Sequence, residues 1–114
     1  MPVYLADVPV KLIRSKINRN NEVSIVNQLK NSVIKNGFLK PILLDDKLNV
    51  ILGGTRVQVA FLLKFKSIKS IIFTKKRYKK MYRIKSFEEL LVISKLNAYE
   101  IHRLNIVGKL NTLI

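Results

Sequence analysis

The chain contains no cysteine and a single histidine, His102, which excludes a disulfide framework, a thiolate metal site, a catalytic thiol and a histidine-built zinc centre. Acidic side chains are also scarce: 7 Asp and Glu stand against 22 Lys and Arg, leaving a formal net charge of +15. No stretch approaches the ~18 consecutive apolar residues of a membrane-crossing helix. The first residues carry Asp7 and Pro9 among short apolar pieces, so no signal peptide is expected either. Gly/Ser/Pro-rich linkers and internal repeats are likewise missing.

What is present is enough for one core. A chain of 114 residues, 48% of them hydrophobic, can bury enough apolar surface to offset the entropy of ordering itself. The excess of positive charge sets up a field that attracts polyanions, nucleic acid first among them. The richness in Lys, Asn and Ile has a second reading, the codon bias of an AT-rich gene, and with the compactness of the chain it suggests a phage or plasmid origin.

Local patterns predict a mixed α/β (α+β) fold. Residues 8 to 13 read as a first strand, with Pro9 suited to its start. Ile25, Val26, Leu29, Val33 and Ile34 recur at helical spacing, which predicts a helix from about Glu22 to Asn36, capped by Asn20 or Asn21 and ended by Gly37. Residues 41 to 44 and 50 to 52 flank Asp45-Asp46-Lys47-Leu48-Asn49 and predict a hairpin, in whose turn the two aspartates serve the local backbone. A second helix is expected to begin at Thr55, with Gln58 completing a capping box. Residues 69 to 74 predict a further strand, and Ser86 with Glu89 caps a third helix. A domain over 1–85 with a helical extension over 86–114 packed on it is the expected organisation.

The junction Leu52-Gly53-Gly54-Thr55-Arg56 joins a strand through two glycines to a helix. First-turn N–H groups there lack intrahelical acceptors, the helix dipole adds positive potential, and Arg56 offers a bidentate clamp, so an anion such as phosphate is favoured. The bland alternative is a tight turn. No Walker-type phosphate loop occurs.

Several pieces then occur in a telling order: Val8-Pro9-Val10-Lys11-Leu12-Ile13, Asn18-Arg19, a helix ending Ser32-Val33-Ile34-Lys35-Asn36-Gly37, then Phe38-Leu39-Lys40-Pro41-Ile42, and Gly53-Gly54-Thr55-Arg56-Val57-Gln58-Val59-Ala60. Over residues 8 to 74 this resembles the N-terminal domain of ParB and, more widely, the ParB/sulfiredoxin-like superfamily. The resemblance implies a small mixed sheet flanked by helices. It also implies a nucleotide or phosphate site comprising Asn18, Arg19, Lys40, Gly53, Gly54, Thr55 and Arg56, with CTP or ATP and Mg2+ as its ligands. Gly54 stands where ParB has Glu and Thr55 where it has its first Arg, so binding is expected ahead of turnover. Thr55 also takes the place of the sulfiredoxin cysteine, and a hydroxyl without an adjacent base does not replace that thiol. An enzymatic alternative, a small-molecule kinase or metal-assisted nuclease of the same fold, would use Glu22 as its base; stabilisation of the helix dipole is the plainer role for Glu22. His102 reads as a helix residue outside the resemblance. Full ParB proteins continue into a helix-turn-helix and a dimerisation domain, and the residues after 74 are too few for both, so a stand-alone module is expected.

The second candidate surface is Lys75-Lys76-Arg77-Tyr78-Lys79-Lys80-Met81-Tyr82-Arg83-Ile84-Lys85, with seven basic residues in eleven. Counted from Lys64, the run holds ten basic side chains and no acid. It could neutralise nucleic-acid phosphates while Tyr78 and Tyr82 stack on bases; alternatively it is a solvated face with the tyrosines turned inward. A cytoplasmic location, nucleoid-associated if DNA is bound, is the matching expectation.

Overall fold

The computed structural model describes residues 2–15 and 23–107. The elements are β1 (Val3–Pro9), a 3-10 turn (Val10–Leu12), α1 (Val23–Asn36), β2 (Ile42–Leu44), β3 (Val50–Leu52), α2 (Gly54–Leu62), β4 (Ser67–Phe73), β5 (Tyr82–Ile84), α3 (Phe87–Ser94) and α4 (Ala98–Val107). One five-stranded sheet runs in the order β3-β2-β4-β1-β5. β2 and β4 are parallel and every other pair is antiparallel, so the expected mixed sheet flanked by helices is what forms.

Alternation along the strands divides the core in two. Ala6, Val8, Ile42, Leu44, Ile68 and Ile72 face α2, whose Val57 and Ala60 join the same cluster. Val3, Leu43, Ile71, Phe73 and Ile84 point the other way, onto Leu90 of α3 and Leu104 of α4. Leu104 is fully buried, so α4 docks on the sheet; residues 108–114 of the expected helical extension lie outside the described residues. α1 packs on α2, with Val26 and Val33 against Val59. Its apolar stripe is narrower than the spacing suggests: Ile25 and Ile34 are 51% and 66% exposed.

The first strand lies earlier than residues 8 to 13. It occupies Val3–Pro9, paired with β4 from Val3 opposite Phe73 to Pro9 opposite Ser67. Pro9 ends the strand rather than starting it. Past it the Val10 N–H turns to the Lys66 carbonyl, and residues 10 to 12 coil into the 3-10 turn, which buries Val10 without a ladder. Arg14 then bridges to the hairpin, donating to Leu48 O and accepting from Val50 N.

The β2–β3 hairpin forms where expected. Asp45 Oδ1 accepts from the N–H groups of Lys47 at 2.9 Å and Asn49 at 2.8 Å, and Oδ2 from Asn49 Nδ2 at 3.1 Å. These bonds hold a turn in which Leu48, a non-glycine residue, sits at φ 64°. Asp45→Ala is expected to lower stability by about 1–2 kcal/mol in urea titrations, because it strips the turn of charge-assisted acceptors. The exposed neighbour supplies the control, and Asp46→Ala should leave the midpoint nearly unchanged.

Candidate phosphate site and basic surface

The register of the strands places the start of β2 and the end of β3 together, so Pro41 and Gly53 share one end of the sheet. α2 starts there. Its N-cap is Gly53, not Thr55, and no side chain caps it. Gly53 is left-handed, with φ 101° and ψ 26°, and a Cβ at that position would lie 2.7 Å from Ile42 Cγ2. The turn therefore requires glycine, and Thr55 falls inside the first helical turn, where the capping box anticipated from the sequence does not form. A Cβ on Gly54 would meet nothing within 4 Å, leaving the first turn of α2 open on that side.

Arg56 reaches back from the first turn and donates from Nη1 to the Pro41 carbonyl at 3.2 Å. It lines a cavity of about 200 Å³ together with Lys40 and the apolar side chains Leu29, Val33, Phe38 and Leu39. Phe38 is braced edge-on by Phe65, ring centroids 5.3 Å apart. Burial pushes the Arg56 guanidinium below its ordinary pKa, and the charge of Glu100 acts in the opposite direction. Lys40 Nζ meets Glu100 Oε1 at 3.3 Å.

The structure thus brings Lys40, Gly53, Gly54, Thr55 and Arg56 to one end of the sheet. Asn18, Arg19 and Glu22 lie outside the described residues. Glu100 is the site neighbour that sequence reasoning missed. Its local signal was available, since Asn97-Ala98-Tyr99-Glu100 forms a reciprocal cap: Asn97 Oδ1 accepts from Glu100 N at 2.9 Å, and Glu100 Oε1 accepts from Asn97 N at 3.4 Å.

The basic segment leaves β4 at the opposite end of the sheet, since β4 runs parallel to β2 and continues past it to Phe73. Lys75, Lys76, Arg77, Lys79, Lys80, Arg83 and Lys85 are all exposed, as are Lys64, Lys66 and Lys69. The two tyrosines part company. Tyr78 is half-buried against the cluster under α2, its backbone N–H directed at the Met81 sulfur, and desolvation raises its hydroxyl pKa. This is the inward of the two placements weighed for the tyrosines. Tyr82, on edge strand β5, is 49% exposed.

The Tyr82 hydroxyl donates to Glu89 Oε1, and the Lys85 N–H donates to Oε2 at 2.9 Å. Ser86 Oγ caps α3 by accepting from Glu89 N at 3.1 Å, so half of the expected capping box is present, and the Glu89 side chain serves Lys85 instead of Ser86. The bond from Tyr82, then that from Lys85, holds the Glu89 carboxyl below its usual range, while the same bond raises Tyr82. A depressed carboxylate contributes stability above its unfolded-state pKa and loses it as pH falls through the folded value. Glu89→Gln should therefore be less stable than the parent at neutral pH. The difference should shrink below the ordinary carboxylate range, as urea titrations at the two pH values would show.

Among the described residues no helix is long and apolar enough to cross a membrane. No protein-family model matches the sequence, and no curated protein matches it. Solved structures do match in shape. A Pnob8-like ParB-N domain aligns over 67% of this chain at 17% identity and TM-score 0.54, although the alignment takes in only 32% of that chain. ParB from Caulobacter crescentus complexed with CTP-gamma-S aligns over 63% of this chain and 45% of its own, at 17% identity and TM-score 0.55. Sulfiredoxin from Arabidopsis thaliana aligns over 61% of this chain and 84% of its own, at 21% identity and TM-score 0.56. The five-stranded mixed sheet with helices on both faces is accordingly the ParB/sulfiredoxin-like fold.

Proposed function

We propose that the chain is a ParB-like module that binds a nucleoside phosphate at the start of α2 and nucleic acid through the basic surface of residues 64–85. The observation that supports it best is the convergence of Lys40 and Arg56 on one cavity of about 200 Å³ beside a helix start whose N-cap carries no side chain. First-turn N–H groups that lack intrahelical acceptors, two cations and apolar walls from Phe38, Leu39, Leu29 and Val33 suit a ligand with a ring at one end and a phosphate at the other. That a ParB of the same fold is seen with CTP-gamma-S makes CTP the first ligand to try, with Mg2+ present.

Titrating CTP, ATP, ADP and a short DNA duplex while following thermal unfolding tests both halves, because a ligand that binds only the folded state raises its stability. Arg56→Ala should weaken the nucleoside phosphate by about 1.5–3 kcal/mol, roughly ten- to a hundredfold, by removing a charge-assisted clamp. DNA affinity should be nearly unaffected. Calorimetric titration of parent and variant with each ligand reads both effects. Loss of DNA binding with nucleotide affinity intact would reverse the assignment.

A further inference from the structure

An acidic side chain already occupies the cationic end of this cavity, and the fold takes some trouble to hold it there. The chain leaves β5 at the far end of the sheet, returns as α3 across the face formed by Leu43, Ile71 and Phe73, and delivers the first turn of α4 beside Lys40. Glu100 is only 9% exposed. Its carboxylate is bonded to Lys40 Nζ and to the Asn97 N–H, and its own N–H is bonded to Asn97 Oδ1. The oxygen that meets Lys40, Oε1, is therefore the same one that closes the cap of α4.

We propose that Glu100 is a built-in anion that competes with ligand phosphate for Lys40, so that it sets the charge of the ligand the cavity admits and couples occupancy to the start of α4. The inference rests on the phosphate reading of the cavity given above. Carboxylate and phosphate oxygens seek the same donors, and a phosphate arriving beside a buried carboxylate meets like-charge repulsion that grows with its own charge. A ligand that takes Lys40 must displace the carboxylate that also caps α4, and this loosens the first turn of that helix. The electrostatic pull of Glu100 on Arg56 places both cations within its field.

Inorganic tripolyphosphate and sulfate are suitable probes, titrated calorimetrically into the parent, Glu100→Gln and Arg56→Ala proteins. Glutamine keeps an acceptor for the Asn97 N–H, so the cap survives while the charge goes. The component of binding that Arg56→Ala abolishes isolates the cavity from the basic surface. For that component Glu100→Gln should bind tripolyphosphate about tenfold more tightly than the parent, the scale expected for removing one like charge from a partly buried anion site, with a smaller gain for sulfate. Hydrogen exchange on the parent needs no variant, and tripolyphosphate should speed exchange at the Asn97 amide, which the displaced carboxylate caps, and at the Glu100 amide of the loosened first turn. Equal or weaker binding by Glu100→Gln, or unchanged exchange in a parent that binds the probe, overturns the competition while leaving the phosphate site standing. If no component of binding depends on Arg56, the phosphate reading fails and this inference fails with it.

Discussion

Gly53→Ala should lower the stability of the protein by about 3 kcal/mol, the sum of placing an L-residue in left-handed space and forcing an overpacked contact. Its φ of 101° lies outside the regions comfortable for alanine, and the new methyl would fall 2.7 Å from Ile42 Cγ2 and 3.3 Å from Arg56 Nη1. Relief has to come from Ile42, a fully buried residue of β2, or from the backbone where β3 meets α2. In a domain of this size that corresponds to a midpoint lower by very roughly 10–20 °C. The adjacent residue makes the comparison clean. Gly54 is the first residue of α2 with open space where its Cβ would go, so Gly54→Ala should be neutral or should stabilise by a few tenths of a kcal/mol. Thermal and urea melts of the two variants read the contrast. Equal behaviour would mean that the double glycine is an ordinary flexible turn rather than one glycine shaped by close packing and one with open space beside it.

The same pair of glycines shows where the sequence was legible and where it was not. Two glycines before a helical pattern indicate a strand-to-helix turn from local chemistry alone, and the hairpin before them is announced by Asp45 and Asn49 between short β-branched and apolar runs. Which residue caps α2 was not legible. Thr55 and Gln58 have capping-box spacing, but the approach of the Gly53 backbone to Ile42, eleven positions earlier, moves the cap two residues upstream. The first strand was misplaced for a related reason. Val10 and Ile13 are as apolar as a strand, yet with Pro9 closing the ladder and Val10 N committed to Lys66 O, they pack on the core from a 3-10 turn and the residue that ends it, while Leu12 between them is 46% exposed. Apolar content marks burial; it does not separate a strand from a short coil that is equally buried.

The candidate site divides along the same line between local and distant determinants. Arg56 could be named from the local chemistry of its strand-to-helix junction, and Lys40 only from the resemblance that its run carries. Glu100 could not, since its partner Lys40 is sixty residues away and nothing in a single sequence links them. Only its capping role was written locally, in Asn97 three residues before. Tyr78 and Tyr82 illustrate the limit again: four residues apart in one basic run, they differ in burial because Tyr78 lies in the connection over the α2 side of the core and Tyr82 on the sheet edge.

Replacing Lys75, Lys76, Lys79 and Lys80 together with glutamine should produce the largest change in nucleic-acid affinity available without touching the core. All four side chains are exposed, in the segment between β4 and β5, so their removal leaves the packing of the sheet alone. Each lysine that neutralises a duplex phosphate contributes a slope of about −0.9 to the dependence of log affinity on log salt. If all four make such contacts, the slope should flatten by about 3–4, and affinity at moderate salt should fall by a hundredfold or more. Fluorescence anisotropy with a labelled duplex across a salt series measures both quantities in one experiment. Nucleotide affinity should barely move, since these lysines lead into β5, the edge strand on the far side of the sheet from β3 and Gly53. A parallel loss of nucleotide binding would mean that the two surfaces act as one site. An unchanged salt slope would mean that the basic segment is a solvated face, and that the +15 charge acts on polyanions through some other part of the chain.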